Sequence, residues 1–150
     1  MIVGDIKLRA AKGDDIPVLM EMVAAMPEAA ALPTALKASA AHWQRDLGHG
    51  FDGIVAIKDG NVVGAAITSS TVMPGLTAPV LELLLLYVLE PYRRQGIAKA
   101  LLDRVKERAR QQGVAFVRLS VTPDSAAALG LYLDAGFKWS PHTLLLWPVA

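Results

Sequence analysis

Polar and apolar positions follow one another along the chain in blocks that each suggest an element. Ile6-Lys7-Leu8-Arg9-Ala10 alternates like a half-buried strand. Gly13-Asp14-Asp15-Ile16-Pro17 then reads as a helix start with early acids, and Val18 to Met26 as the first helix. Pro27 interrupts that helix, and Pro33 opens an alanine-rich segment in which Ala35 to Leu47 predicts a second helix ending near Gly48. Two apolar runs, Ile54 to Ile57 and Val62 to Ile67, flank Lys58-Asp59-Gly60-Asn61, the pattern of a hairpin with an Asp-Gly turn. Met73 to Pro79, with prolines at both ends and a glycine between, predicts a loop.

Leu81 to Val88 is an apolar run of strand length, broken only by Glu82. A short turn, Leu89-Glu90-Pro91-Tyr92, leads through Arg93-Arg94-Gln95 to Gly96, after which Ile97, Leu101, Val105 and Ala109 recur every four positions as one helical stripe. Gln112-Gly113 stops this helix and Val114 to Val121 predicts a strand, so strand, helix and strand form a right-handed parallel crossover. Asp124 to Ala135 reads as a further helix capped by Gly136, with last strands at Phe137-Lys138-Trp139 and Leu144 to Val149. No repeat, linker or low-complexity tract interrupts the pattern, and a single mixed α/β domain over residues 1–150 is expected.

Composition narrows the classes. At 150 residues the chain can bury a true core without staples, and 53% hydrophobic against 19% charged residues suits a sheet covered on both faces or a homodimer interface. No apolar run approaches the roughly 20 residues of a membrane span, and Met1 to Asp5 carries no basic segment followed by a long apolar one, so a cytoplasmic protein is expected. The absence of cysteine excludes a disulfide framework and a thiolate nucleophile. Three histidines without metal-ligand spacing give no metal site. No glycine-rich lysine loop or dinucleotide fingerprint favours ATP or NAD. A net charge of +1 supplies no global field for nucleic acid. Positive charge is local, in Arg93, Arg94, Lys99, Arg104, Lys106, Arg108 and Arg110, of which the stretch from Arg104 onward reads as a solvated helix face.

The junction at Gly96 suits a phosphate. The first amides of a helix lack partners within it and together carry about half a positive charge, so an anion placed there gains hydrogen bonds and field. Gly96 removes the side chain that would block approach, and Ala98 is nearly as small.

The run from Leu86 to Lys99, with Arg93, Gly96 and Ala98 at its fixed positions, and the later Tyr132, Gly136 and Phe137 together resemble the GCN5-related N-acetyltransferase family. The resemblance follows the element order of the whole chain, with motif support from about Glu82 to Phe137. It implies a mixed, mostly antiparallel sheet with a splayed parallel strand pair, flanked by helices. It also implies acetyl-CoA as cosubstrate. The pyrophosphate would lie on the loop before the helix, at Arg93, Arg94, Gln95, Gly96, Ile97, Ala98 and Lys99. The pantetheine arm would run along the backbone of Leu86, Tyr87 and Val88, whose amides would match its own. Ser125 stands where many relatives keep an asparagine; it can cap a helix but does not reproduce an amide's paired groups.

Acyl transfer to an amine needs a base, because stripping a proton from an amine near pKa 10.4 at neutral pH costs on the order of 4 kcal/mol. The resemblance offers Glu82 for this role, with burial among leucines to raise its pKa. It offers Tyr132 as the acid that protonates the departing thiolate. The resemblance also leaves room for a backbone amide on this strand, expected near Val88, to polarise the thioester carbonyl. The acceptor pocket is expected within Met26 to Asp52, with His42, Trp43, Arg45 and Asp46 as candidates, for a small-molecule or peptide amine. The rival reading is a CoA-binding sensor or interaction module without turnover.

Overall fold

A computed structural model describes residues 2–122, 124–145 and 147. The chain forms two compact units, residues 1–120 and residues 121–150.

Among the described residues the first unit is built on a six-stranded sheet whose strands lie side by side in chain order: β1 (Ile2–Val3), β2 (Ile6–Ala10), β3 (Asp52–Lys58), β4 (Asn61–Thr71), β5 (Val80–Val88) and β6 (Val117–Arg118). Every pairing is antiparallel except β5 with β6, so the sheet is mixed and mostly antiparallel, as the family resemblance implies. β3 and β4 form the expected hairpin, with Asp59 and Gly60 at φ 50° and 79° in the left-handed pair that such a turn requires.

Between β2 and β3 lie α1 (Ile16–Ala24), α2 (Pro27–Ala30) and α3 (Ala40–Asp46). α1 starts earlier than Val18 because Asp15 organises its entry. The Asp15 carboxylate accepts the Lys12 amide at 2.9 Å and is gripped by both terminal nitrogens of Arg9, at 2.7 and 2.9 Å. Pro27 does not merely interrupt; it opens α2, where its fixed φ suits a first helical position. The helix expected over Ala35 to Leu47 is confined to Ala40–Asp46, because Ser39 ends the preceding chain as a cap: its N–H donates to His42 Nδ1 at 3.0 Å. Thr34–Leu36 forms a single 3₁₀ turn.

One face of the sheet receives α1 and α3. Ile16, Leu19 and Met22 of α1 and Trp43 of α3 bury against Val55, Ala65, Ile67 and Leu85. The other face receives α4 (Ile97–Gln112), whose predicted stripe Ile97, Leu101, Val105 and Ala109 is buried. Gly64 of β4 permits that approach: a Cβ there would meet Ile97 Cγ2 at 3.2 Å and Leu101 Cδ1 at 3.3 Å. α4 stops where expected, with Gly113 at φ 63° and the Val114 N–H donating to the Ala109 carbonyl at 3.3 Å.

β6 is much shorter than the strand expected over Val114 to Val121. Its ladder with β5 has only the rungs Leu81 to Val117 and Glu82 to Arg118. The cause is visible on β5: Thr68 of β4 faces Leu83 while the adjacent Ile67 faces Leu85, so Leu84 is an extra residue in a β-bulge. A bulge bends its strand and ends regular pairing on the outer side. The parallel pair therefore splays just beyond Glu82.

The second unit contains α5 (Ala126–Asp134), which starts later than Asp124 and stops one residue before Ala135, with Gly136 following its last turn as expected. Gly136 has φ 95°, its N–H donates to the Leu133 carbonyl at 3.0 Å, and the Phe137 N–H donates to the Tyr132 carbonyl at 3.0 Å. Phe137 to Trp139, expected as a strand, forms none, and residues 140–145 pair with none of the described residues. Apolar character alone makes no strand; an edge must offer its hydrogen-bonding groups. Leu146, Pro148 and Val149, within the other expected strand, lie outside the described residues.

Candidate active site

The C-terminal half of β5 and the loop that follows it place most of the candidate residues on one stretch of chain. The Leu89 N–H donates to the Val63 carbonyl at 2.8 Å, directly across from it. Antiparallel pairing alternates from that rung, so Leu85 and Tyr87 direct their backbone groups to β4, while Leu86 and Val88 direct theirs to the edge that β6 has left. The Val88 carbonyl accepts Arg93 Nε at 2.8 Å. The outward groups are thus both of Leu86 and the N–H of Val88. Tyr87 corrects the expectation: its backbone is engaged with β4, and it presents its ring, with the Arg93 guanidinium carbon 5.2 Å from the centroid.

Two left-handed residues shape the loop into α4, Arg94 at φ 63° and Gly96 at φ 82°. Such turns gather successive N–H groups into an anion-binding concavity. Gly96 is the N-cap of α4, and among the described residues no side chain bonds the helix's first amides, those of Ile97, Ala98 and Lys99. A Cβ on Gly96 would meet nothing within 4 Å. Gln95 is held from behind, its Oε1 accepting Lys58 Nζ at 2.8 Å, and Lys99 pairs along the helix with Asp103 at 3.0 Å. Ile97 is buried and anchors the turn to the core.

Glu82 lies on the last parallel rung. Directly opposed residues share a sheet face, and Ser69, Glu82 and Arg118 form one row across β4, β5 and β6. Counting along β4 from Ala65 and Ile67 places that row on the face of α1 and α3. Glu82 is not buried among leucines as expected. Its side chain is 28% exposed, and Oε1 accepts both Nε (2.8 Å) and Nη2 of Arg118. Ser69 Oγ donates to the Gly50 carbonyl at 2.9 Å, tying the chain after α3 to the same row.

In the second unit, Tyr132 packs edge-on against Phe137, with centroids 5.7 Å apart, and burial pushes its phenol above the ordinary value of 10.0. Ser125 is the N-cap residue of α5 but makes no side-chain cap bond, contrary to expectation; its N–H donates to the Thr122 carbonyl at 3.0 Å.

The residues expected to line the acceptor pocket each have a partner within the first unit. Trp43 belongs to the core and meets Phe51 edge-on at 5.2 Å, His42 caps α3, and Arg45 and Asp46 pair with each other. Sequence reasoning missed Arg118. Its partnership with Glu82 depends on strand register, which neither residue announces locally.

The sequence profile of the "Acetyltransferase (GNAT) family" matches residues 19–137. Human N-acetyltransferase 8 is 39% identical over 84 residues, covering 56% of this chain and 37% of that protein. Mouse N-acetyltransferase 8B is 39% identical over 90 residues, covering 60% and 39%. The matched part thus spans under two fifths of the length of these curated relatives. Among solved structures, an aminoglycoside acetyltransferase from an uncultured soil metagenomic sample, in complex with trehalose, superposes with TM-score 0.81 at 17% identity over 100% of this chain and 99% of its own. Aminoglycoside N-acetyltransferase AAC(6')-Iy in complex with CoA gives 0.78 at 17% over 99% and 100%. These structural likenesses concern the fold. From Leu19 in α1 to Phe137 beyond α5, through the bulged β5 and the uncapped start of α4, the chain belongs to the acetyltransferase (GNAT) family.

Proposed function

We propose that the protein is an acetyl-CoA-dependent N-acetyltransferase that transfers its acetyl group directly to a primary amine of a small-molecule or peptide acceptor. The observation that carries this reading is the open edge of β5. Leu86 and Val88 offer amide-pairing groups to a ligand, and the turn that follows leads into helix amides that no side chain among the described residues caps. An extended arm of amides ending in a pyrophosphate fits such a surface at both ends. In this reading Arg94 and Lys99 add charge at the phosphate end, while Arg93 holds the strand end through Val88 and Tyr87.

Acetyl-CoA, when bound, supplies an acetyl thioester. Glu82 takes the proton of the incoming ammonium, directly or through a water, while Arg118 holds one of its oxygens. Tyr132 gives its proton to the departing sulfur; burial keeps the phenol protonated across the neutral range, which suits a donor to a thiolate whose parent thiol titrates near 8.5. Tyr132→Phe is expected to lower kcat about a hundredfold with acetyl-CoA affinity unchanged. Equal turnover by the variant removes Tyr132 from the chemistry.

The test of the function is calorimetric titration with acetyl-CoA, with ATP and NAD as controls, followed by CoA release with an amino acid, a polyamine, an aminoglycoside and a peptide as acceptors. Selective micromolar binding and steady release with one amine are expected; no binding overturns the reading. The engagement of Glu82 by Arg118 favours the second reading, a CoA-binding sensor, which predicts binding without release.

A further inference from the structure

The vertex of the splayed strand pair has its own chemistry. On the last parallel rung the two strands are still hydrogen-bonded, so nothing can pass between them in the plane of the sheet. On the α4 face the vertex is closed by Leu81 and Leu83, which are 2% and 6% exposed. On the α1 and α3 face it is closed by the Glu82 and Arg118 pair. Both arginine donors converge on Oε1, and the side chains remain 28% and 43% exposed, so the wall they make is charged and hydrated.

We propose that the Glu82 and Arg118 pair is the determinant of acyl-chain length, selecting an acetyl group against longer acyl groups. This rests on the reading that acetyl-CoA lies along the open edge of β5. With its pyrophosphate at the start of α4, the arm points back along the strand. From Val88 to Leu83 the open edge runs about 17 Å, and it ends at the vertex. The acyl group is the last part of the ligand to arrive there. A short one stops before the rung. Further methylenes that continue along the strand meet a packed leucine core on one face and, on the other, an ion pair that they would desolvate. Each methylene moved from water to an apolar wall is worth roughly fourfold in affinity, and the charged wall withholds that gain.

The experiment is calorimetric titration of the full chain with CoA, acetyl-CoA, butyryl-CoA and hexanoyl-CoA. The variants are Arg118→Leu and the double variant Glu82→Leu/Arg118→Leu. The wild type is expected to bind hexanoyl-CoA at least tenfold more weakly than acetyl-CoA. The double variant is expected to erase or invert that ratio, with the single variant between, while affinity for CoA itself stays the same in all three and so reports intact folding. Hexanoyl-CoA binding as tightly as acetyl-CoA in the wild type overturns the proposal, as does an unchanged ratio in a double variant that still binds CoA. Failure of the wild type to bind any of the four overturns the proposed function as well. Loss of CoA binding in the double variant alone passes the decision to Arg118→Leu, where an unchanged ratio again overturns the proposal.

Discussion

The two edges of β5 are paired over very different lengths. Toward β4 it is paired from Val80 to Val88, and its rungs continue at Leu89. Toward β6 it is paired at Leu81 and Glu82 and then released, because the extra residue at Leu84 bends it away. The same leucine-rich strand thus makes structure on one side and leaves backbone donors and an acceptor facing outward on the other. Leaving a buried backbone group without a partner costs about 1–3 kcal/mol. An outward edge of this kind persists where water or a ligand completes it. The comparison separates two kinds of damage: changes on the closed side should cost stability, and changes on the open side should cost binding.

The largest effect is expected at the open side. Gly96→Glu places charge and bulk where an anion would sit, and should weaken acetyl-CoA at least a hundredfold by calorimetry, with the domain still folded. Gly96→Ala is its control, sharing the strain at φ 82°, about 1 kcal/mol, without the charge. Should both variants lose binding equally, strain and not anion recognition governs the loop.

The closed side is broken by Gly64→Val. The added carbons would press on the Tyr87 carbonyl, 3.1 Å from an ideal Cβ, and on the α4 stripe. A loss of about 2–3 kcal/mol in urea unfolding is expected, with acetyl-CoA affinity of the folded protein nearly unchanged. A variant that keeps its stability but loses the cofactor would blur the distinction between the edges.

A smaller loss, about 2 kcal/mol at pH 7, is expected from Asp15→Asn, far from either edge of β5 in sequence. The hydrogen-bonded Arg9 guanidinium holds the Asp15 carboxyl below its ordinary value of 3.8. Its contribution is therefore complete above about pH 4 and is lost as pH falls through the lowered value. The gap between wild type and variant should close in acid; a gap that is constant from pH 7 to pH 2 would assign the effect to packing instead.

Much of this architecture is legible in the sequence, where local chemistry decides. The Asp59-Gly60 hairpin, the four-residue stripe of α4, and the glycine stops at Gly113 and Gly136 each follow from a short pattern, and each is present. Gly96 at the head of α4 belongs with them. Features set by register were not legible. The bulge at Leu84 sits in a run of identical leucines, and only the partner strand reveals which one is extra. The same register decides that Tyr87 faces β4 and that Arg118 meets Glu82. The polar role of Asp15 was hidden because an acid before a proline reads as a helix start, while its partner Arg9 comes from the preceding strand. The shortened α3 was hidden by alanines, which fit a helix wherever Ser39 chooses to begin it.

Residue-resolved amide hydrogen exchange with and without the cofactor shows whether acetyl-CoA completes the open edge of β5. The Leu86 and Val88 amides are expected to exchange rapidly in the free protein and to slow at least tenfold when acetyl-CoA is added, while those of Leu85 and Tyr87 are slow throughout. Exchange at Leu86 and Val88 that is unaffected by saturating acetyl-CoA would contradict this completion of the edge.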